Sequence, residues 1–281
     1  MDLRTYLQKL NERPSNWAKK HGIDPATLSR FFAGKQTFKL ETAKKIVAAT
    51  QGAVSYEDLS LNLLSLKSGE RRLAMAEEQL AAEQAAILGP SIDKLLAMLG
   101  AARDAYNRHS RASLQELQDL AGAVAQDFTT LARQVEALVS RPEERERQSF
   151  IRLFSILSRL EVIGQNLGGL TSPIGKKIKD GVLFSDKAVT QTNYLFDQHA
   201  GMIRSILDIV KTDNAFLKKY VLEESRKLVQ ACADFATEHE ERLIEGLCLP
   251  QAAPIFLAIL DRFRTIGEHE MEVATQLTRK S

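Results

Sequence analysis

Cysteine, proline and glycine are all scarce in this chain of 281 residues. The two cysteines, Cys232 and Cys248, lie in apolar helical stretches and form no CxxC pair. Neither a disulfide scaffold nor a cysteine-built zinc site is therefore indicated, and a reducing compartment fits. Seven prolines and fifteen glycines are too few to punctuate many short strands, so their scarcity favours long helices.

Long apolar runs are also missing. The N-terminal stretch MDLRTYLQKLNERPSNW has no apolar run of the signal-peptide type, and no segment approaches the roughly 18 uninterrupted apolar residues of a membrane span. Hydrophobic residues make up 44% and charged residues 26%, which supports a sizeable core and excludes wholesale disorder. We expect a soluble, cytoplasmic protein without membrane insertion.

The net charge of +2 hides an uneven distribution. Residues 1–55 contain ten Lys or Arg and four Asp or Glu, a charge of +6. The remaining residues contain 28 basic and 32 acidic side chains, a charge of −4. A basic N-terminal segment on a slightly acidic remainder indicates that only this segment meets a polyanion.

Four short helices are predicted in the basic segment. Gly22 suits the left-handed conformation of a tight interhelical turn, and Asp24 is an N-cap candidate just before Pro25. The marker residues are Leu3, Tyr6, Leu7 and Leu10 for the first helix, Pro14 and Gly22 for the second, Pro25 and Gly34 for the third, and Leu40 to Thr50 for the fourth. The third helix, residues 25–33, combines an apolar stripe with an open face; the stripe is Leu28, Phe31 and Phe32, and the open positions are Ala26, Thr27, Arg30 and Ala33.

The stretches AKKHGI (18–23), LSRF (28–31) and GK (34–35) resemble the Cro/CI-type helix-turn-helix of phage repressors and bacterial regulators. The resemblance implies a DNA-binding domain over residues 1–65, with the third helix in the major groove of double-stranded DNA. The implied DNA-binding residues are Thr27 and Arg30 towards base edges with Ala26 beside them, Lys35 and Gln36 towards bases or backbone, and Lys19, Lys20 and Lys39 towards phosphates. The alternative is a small helical domain whose solvated basic face contacts proteins.

An alanine- and glutamate-rich stretch then predicts a helical connector over residues 66–89. It follows a turn and a short helix near residues 54–59, and Gly89-Pro90 is expected to end it. Its imperfect apolar stripe, too irregular for a coiled coil but usable as a dimer seam, consists of Leu73, Ala76, Leu80, Ala81 and Ile87.

The remainder predicts six amphipathic helices, at residues 90–106, 110–139, 143–170, 185–210, 213–247 and 250–279. The third starts at Arg141-Pro142, and a turn at residues 176–184 separates two halves, 90–175 and 182–281. RLEVIGQ (159–165) recurs as RFRTIGE (262–268), which places Gly164 and Gly267 103 residues apart. A glycine inside a helix costs about 1 kcal/mol relative to alanine, so its repeated use predicts close helix contact. We expect an all-α chain in which two three-helix bundles follow the small N-terminal domain.

The repeated IG motif, with HEERL (239–243) and LDRFRTIGEH (260–269), resembles the PhoU family of phosphate regulators. The stretch IKDGVLFS (178–185) resembles the repeat junction of versions fused to sodium–phosphate cotransporters. The resemblance covers residues 90–281 and implies two three-helix bundles. It also implies a role in phosphate homeostasis through protein contacts, and several members of the family bind metal clusters.

The metal motif of that family places two carboxylates at i and i+4 around the glycine, a donor set for hard cations. This chain departs from the motif in both halves, because Gln165 replaces one acid and Arg264 replaces another. We expect no cofactor, and a bound metal ion is kept as an alternative. The weak candidate ligands are Glu161, Glu268, His269, Glu272 and His239.

The leading hypothesis is a bacterial transcription regulator that binds DNA as a homodimer, since one helix-turn-helix makes few contacts. Its second domain would serve sensing, docking and dimerisation. The alternative is a cytoplasmic adaptor that docks a phosphate transporter or sensor kinase. A third hypothesis is a module that stores phosphate or metal by binding it. Catalysis is not expected, because no nucleophile, acid–base dyad or phosphate-binding loop is recognisable.

Overall fold

The computed structural model describes residues 1–140 and 143–278, without the side chains of residues 57, 60–74 and 145. The described residues form helices and turns, with no strand among them, so the predicted all-α class is confirmed. The chain divides into two compact units, Met1–Glu78 and Gln79–Ser281. The helices are α1 (Leu3–Lys9), α2 (Pro14–Lys20), α3 (Pro25–Phe32), α4 (Leu40–Ala49), α5 (Tyr56–Arg108), α6 (Arg111–Val139), α7 (Glu144–Gly169), α8 (Thr171–Lys179), α9 (Asp186–Thr212), α10 (Ala215–Ile244) and α11 (Ala253–Thr278), with a 3₁₀ turn at Pro250–Ala252.

The first unit has its own small core. The four predicted helices are present, and their apolar stripes meet around Trp17 and Phe31, each 1% exposed. Phe31 stacks on Phe38 with ring centroids 4.1 Å apart. The start of α5 is fixed by a capping box, in which Ser55 N–H donates to the Asp58 carboxylate (2.8 Å) and Asp58 N–H donates to the Ser55 hydroxyl (3.1 Å).

The expected break at Gly89-Pro90 is wrong, because α5 runs through it as one helix of 53 residues. Proline removes the bond to the carbonyl of residue 86, and both Pro90 and Ala86 lie on the exposed face, where water can serve that carbonyl. The opposite face carries the buried Leu88 and Ile92. The predicted connector is therefore part of α5, and the side chain of Leu73 lies outside the described residues.

Three helices pack around each of the two repeated glycines in the second unit. The first triplet is the later part of α5 with α6 and α7, and the second triplet is α9, α10 and α11. A Cβ built on Gly164 would lie 3.1 Å from Val124 Cγ1, and one on Gly267 would lie 3.1 Å from Val229 Cγ2. The predicted close helix contact at both glycines is confirmed, and the core of the unit is continuous across both triplets.

The region between the triplets differs from the prediction. Residues 176–179, expected in a turn, belong to α8, and the turn is confined to Asp180 and Gly181, whose φ is +63°. The reason is that this lysine-rich segment is amphipathic, with Ile174 and Lys177 buried. The helix start expected at Arg141-Pro142 lies outside the described residues.

One segment, Met75–Arg108, is long and apolar enough to cross a membrane by length and composition alone. Half of its most apolar window is buried inside the second unit, where Leu95 and Met98 are completely covered. The core helix of a helical bundle meets the same criterion.

Candidate nucleic-acid interface

The turn between α2 and α3 is fixed by backbone geometry. Gly22 adopts a φ of +64°, in the left-handed region where a side chain is strained. Ile23 N–H donates to the Ala18 carbonyl (2.8 Å), and the Ile23 side chain enters the core at 4% exposure. Two short helices are thus joined by a four-residue turn with a set crossing, as the sequence predicted.

Asp24 fixes the first turn of α3. Its carboxylate accepts from the backbone N–H groups of Ala26 and Thr27, both at 3.1 Å, and from the Thr27 hydroxyl at 2.9 Å. These hydrogen bonds, with a smaller contribution from the charge of Arg30, hold the pKa of Asp24 below its usual value. The N-cap prediction is confirmed, and α3 is oriented by its own sequence.

The eight predicted DNA-binding residues divide by what their side chains do. The Thr27 hydroxyl donates to the Asp24 cap at the start of α3 (2.9 Å), and the Gln36 amide, which follows α3, donates to the Thr27 carbonyl at 3.4 Å. Ala26 and Arg30 are exposed on α3, and Lys35 is exposed just beyond it. In the described part of the chain, no carboxylate lies within ion-pair distance of Arg30. The exposed face of α3 therefore carries small side chains apart from Arg30, and its charge is positive.

The remaining cations lie on neighbouring elements. Lys19 and Lys20 are exposed at the end of α2, and Lys39 is exposed at the N-cap of α4. Lys45, absent from the predicted set, donates from Nζ to the Gly22 carbonyl at 3.5 Å and so lies beside the turn. Lys45 and Gly22 are 23 residues apart in the chain, so no sequence pattern indicates that they lie close together.

The candidate metal ligands are not assembled. Glu268 pairs with Arg264 (2.9 Å), and His269 Nδ1 contacts Glu272 (3.0 Å), which also pairs with Arg159 (3.0 Å). Within the residues that the structure describes, no group of three His, Cys, Asp or Glu side chains is placed to hold a metal ion.

Two other candidates have different surroundings. His239 is 1% exposed and packs on the Phe256 ring (4.7 Å), and burial lowers its pKa. Glu161 borders a groove of about 390 Å³ between α6 and α7, together with Gln165. Neither residue belongs to a group of three such side chains placed to hold a metal ion in the part of the chain that the structure describes.

A buried polar cluster in the second triplet was missed by the sequence reading. His199 Nδ1 lies 2.9 Å from Glu270 Oε2, with both side chains 0% exposed, and burial raises the pKa of Glu270. Ser225 is also 0% exposed. In the described part of the chain, one polar atom of each of these side chains has no hydrogen-bond partner.

The first triplet is apolar at the corresponding positions. Leu95 approaches Gly164 as His199 approaches Gly267. Leu167 and Glu270 each follow their glycine by three residues. An alignment of the two repeated segments contains this difference in polarity. The residues next to His199 and Glu270 in the sequence do not indicate it.

Lys177 is a further buried polar residue that the sequence did not predict. It is 5% exposed, and its Nζ donates to the Tyr106 carbonyl (2.7 Å) near the end of α5 and contacts His109 Nε2. Nζ also lies 4.8 Å from the centre of the Tyr106 ring and 5.6 Å from that of Phe184. Burial lowers the pKa of Lys177 to about 8.

Comparison with protein-family models, with curated proteins and with solved structures finds no match for the chain.

Proposed function

We propose that the chain is a DNA-binding transcription regulator whose first unit places α3 in the major groove. The observation that carries this proposal is the exposed, positively charged face of α3, with Arg30 at its centre. This face stands on a helix whose start, turn and core are fixed by Asp24, Gly22 and Phe31. Rigid presentation of a cation matters because direct readout requires a defined approach to base edges.

Charge supports nucleic acid as the ligand. The first 55 residues carry +6, and the five cations of the predicted DNA-binding set are all exposed on α3 or on the elements beside it. A guanidinium on the open face suits the acceptor pair of guanine, and flanking lysines suit phosphates. The five cations are Lys19, Lys20, Arg30, Lys35 and Lys39.

The second unit is proposed to serve sensing, docking and dimerisation in phosphate homeostasis, in the cytoplasm. The support is the resemblance of its repeated segments to PhoU proteins, together with the matching close approach at Gly164 and Gly267. Genomic fragments selected by the full chain test this link. Operators next to phosphate-transport genes support it, and operators without such neighbours contradict it.

Arg30→Ala tests the DNA-binding role. If Arg30 reads a base edge, the substitution costs about 1–3 kcal/mol of binding and relaxes the preference at one base pair. Arg226→Ala, an exposed arginine of α10, is the matched control and is expected to leave binding unchanged. Fluorescence anisotropy on the selected operator and its single-base variants measures both effects.

Two results would count against this assignment. An equal loss on every sequence moves Arg30 to the phosphate contacts. The absence of binding at low salt, by the full chain and by a variant lacking residues 1–65 alike, rejects the regulator and favours an adaptor that contacts proteins.

A further inference from the structure

Four large aliphatic side chains are exposed where α10 ends. Ile244 is 87% exposed, Leu247 65% and Leu249 53%, and Leu183, in the loop after α8, is 66% exposed. We name these four residues the α10-end patch. Large aliphatic side chains scattered singly on a surface need no explanation, whereas a group of them in one place marks an interface.

The backbone brings the four residues together. Gly246, with a φ of +75°, ends α10, and Leu247 N–H donates to the Arg242 carbonyl (2.8 Å). A leucine in this position commonly packs against its own helix, but Leu247 is directed outward. Next to it, Cys248 Sγ lies 3.8 Å from Ser185 Oγ, which places residues 247–249 beside the loop that carries Leu183.

The amount of exposed surface suits a specific interface. At these exposures the four side chains present about 450 Å² of aliphatic surface, close to the apolar part of one side of a standard interface, which buries about 800 Å² per partner. The patch is thus large enough to form the centre of a stable contact.

The charges around the patch indicate which partner fits. Lys179 and Lys187 are exposed within four residues of Leu183, and Lys187 already pairs with Glu238 (3.5 Å). The acids that are exposed within four residues of a patch member are Asp180, Asp186, Glu240, Glu241 and Glu245. A nucleic acid or an anionic membrane requires cations in excess. Acids outnumber cations here, which disfavours both of those ligands, whereas a two-fold contact with a second copy can set each cation against an anion of the other copy.

We propose that the α10-end patch is the surface through which two copies of this chain associate as a two-fold dimer. The choice of a second copy rests in part on the proposed function, since two helix-turn-helix units on one duplex require two chains. The association itself is a property of the second unit and is measured without DNA.

The test is sedimentation equilibrium of the full chain at micromolar concentration. The wild-type chain is expected to be a dimer. Because an isologous contact contains each residue twice, Ile244→Ser and Leu247→Ser are each expected to weaken dimerisation by about a hundredfold. Thermal unfolding at a concentration where all variants are monomeric verifies that each variant folds.

Phe216→Ser provides the matched control. Phe216 is 76% exposed on the same helix, but about 40 Å away at its other end. It is expected to leave the dimer intact. A monomeric wild-type chain overturns the proposal, as does a dimer that resists both patch substitutions or that loses as much affinity from Phe216→Ser.

DNA binding separates this proposal from the proposed function. If both hold, the folded patch variants retain binding to one half-site and lose the gain in affinity from the second. A dimer that dissociates on patch substitution but binds no DNA sustains the interface and rejects the regulator.

Discussion

Lys177 shows how burial changes the chemistry of a single residue. Its ammonium group meets a backbone carbonyl, an imidazole and two aromatic rings, but no carboxylate within ion-pair distance in the described residues. The Tyr106 carbonyl lies in the last turn of α5, where a cation compensates the negative end of the helix dipole. That contact ties α8 to α5, while desolvation still lowers the pKa of Lys177 to about 8.

Stability is expected to rise with pH because of Lys177. A folded-state pKa of about 8, below the ordinary value of 10.5, means that the unfolded chain binds more protons in this range. The cost of burying the charge is therefore fully present below pH 8 and is relieved as the pH rises. Between pH 8 and about 9.5 the free energy of unfolding gains on the order of 1 kcal/mol.

Urea unfolding of Lys177→Met measures this contribution. The variant is expected to lose the rise, whereas Lys176→Met, at the exposed neighbouring position, is expected to keep it. A rise of the same size in Lys177→Met would assign it to another group.

At the scale of helices, the ends of a helix could be predicted wherever a single residue fixes the backbone conformation. Pro14, Gly22 and Asp24 act locally, through a fixed φ, a positive φ and a side-chain cap, so the helix boundaries of the first unit follow from sequence. Pro90 shows the limit of such prediction, because the free energy that a proline costs inside a helix depends on which face of the helix it occupies. That face is set by tertiary packing.

The candidate site shows the same division. The open face of α3 follows from the spacing of Leu28 and Phe31, which fixes the positions that point away from the core. The approach of Lys45 to Gly22 depends on how α4 packs and has no local signal. The burial of Lys177 in a lysine-rich segment was hidden for the same reason.

The two helix triplets allow one to be used as a template for the other. His199→Leu and Glu270→Leu give the second triplet the leucines of the first, and Ser225→Ala removes the third polar side chain of the cluster. Replacing both partners of a buried hydrogen-bonded pair by apolar side chains is commonly neutral or stabilising, whereas removing one partner leaves the other buried polar group unpaired, at a cost of about 1–3 kcal/mol or more. The triple variant is therefore expected to be at least as stable as wild type, and Glu270→Leu alone much less stable.

Chemical denaturation of the wild type and the two variants measures this difference. If the triple variant were as unstable as Glu270→Leu, the packing around Gly267 would differ from that around Gly164 in more than polarity. Recovery of stability in the triple variant would show that the polar cluster is retained at a cost to the fold.

At the scale of the whole chain, charge is divided between the two units. The first 55 residues carry +6 and the remainder −4, so a long polyanion is attracted to one part of the chain and repelled by the rest. The base contacts proposed for α3 and the phosphate contacts proposed around it would then be separable by salt. Each cation that neutralises a phosphate adds about 0.9 to the slope of log affinity against log salt concentration.

Lys19→Gln with Lys20→Gln is expected to lower the magnitude of that slope by about 2, because both lysines are assigned to phosphates. The loss of affinity should be nearly equal on specific and random DNA, since phosphates carry no sequence information. The matched control is Lys176→Gln with Lys211→Gln, two exposed lysines of the second unit, which should leave the slope unchanged. Anisotropy titrations over a range of salt concentrations measure both pairs. An unchanged slope for Lys19 and Lys20, with binding intact, would place the DNA backbone away from the end of α2 and require α3 to approach the groove in another orientation.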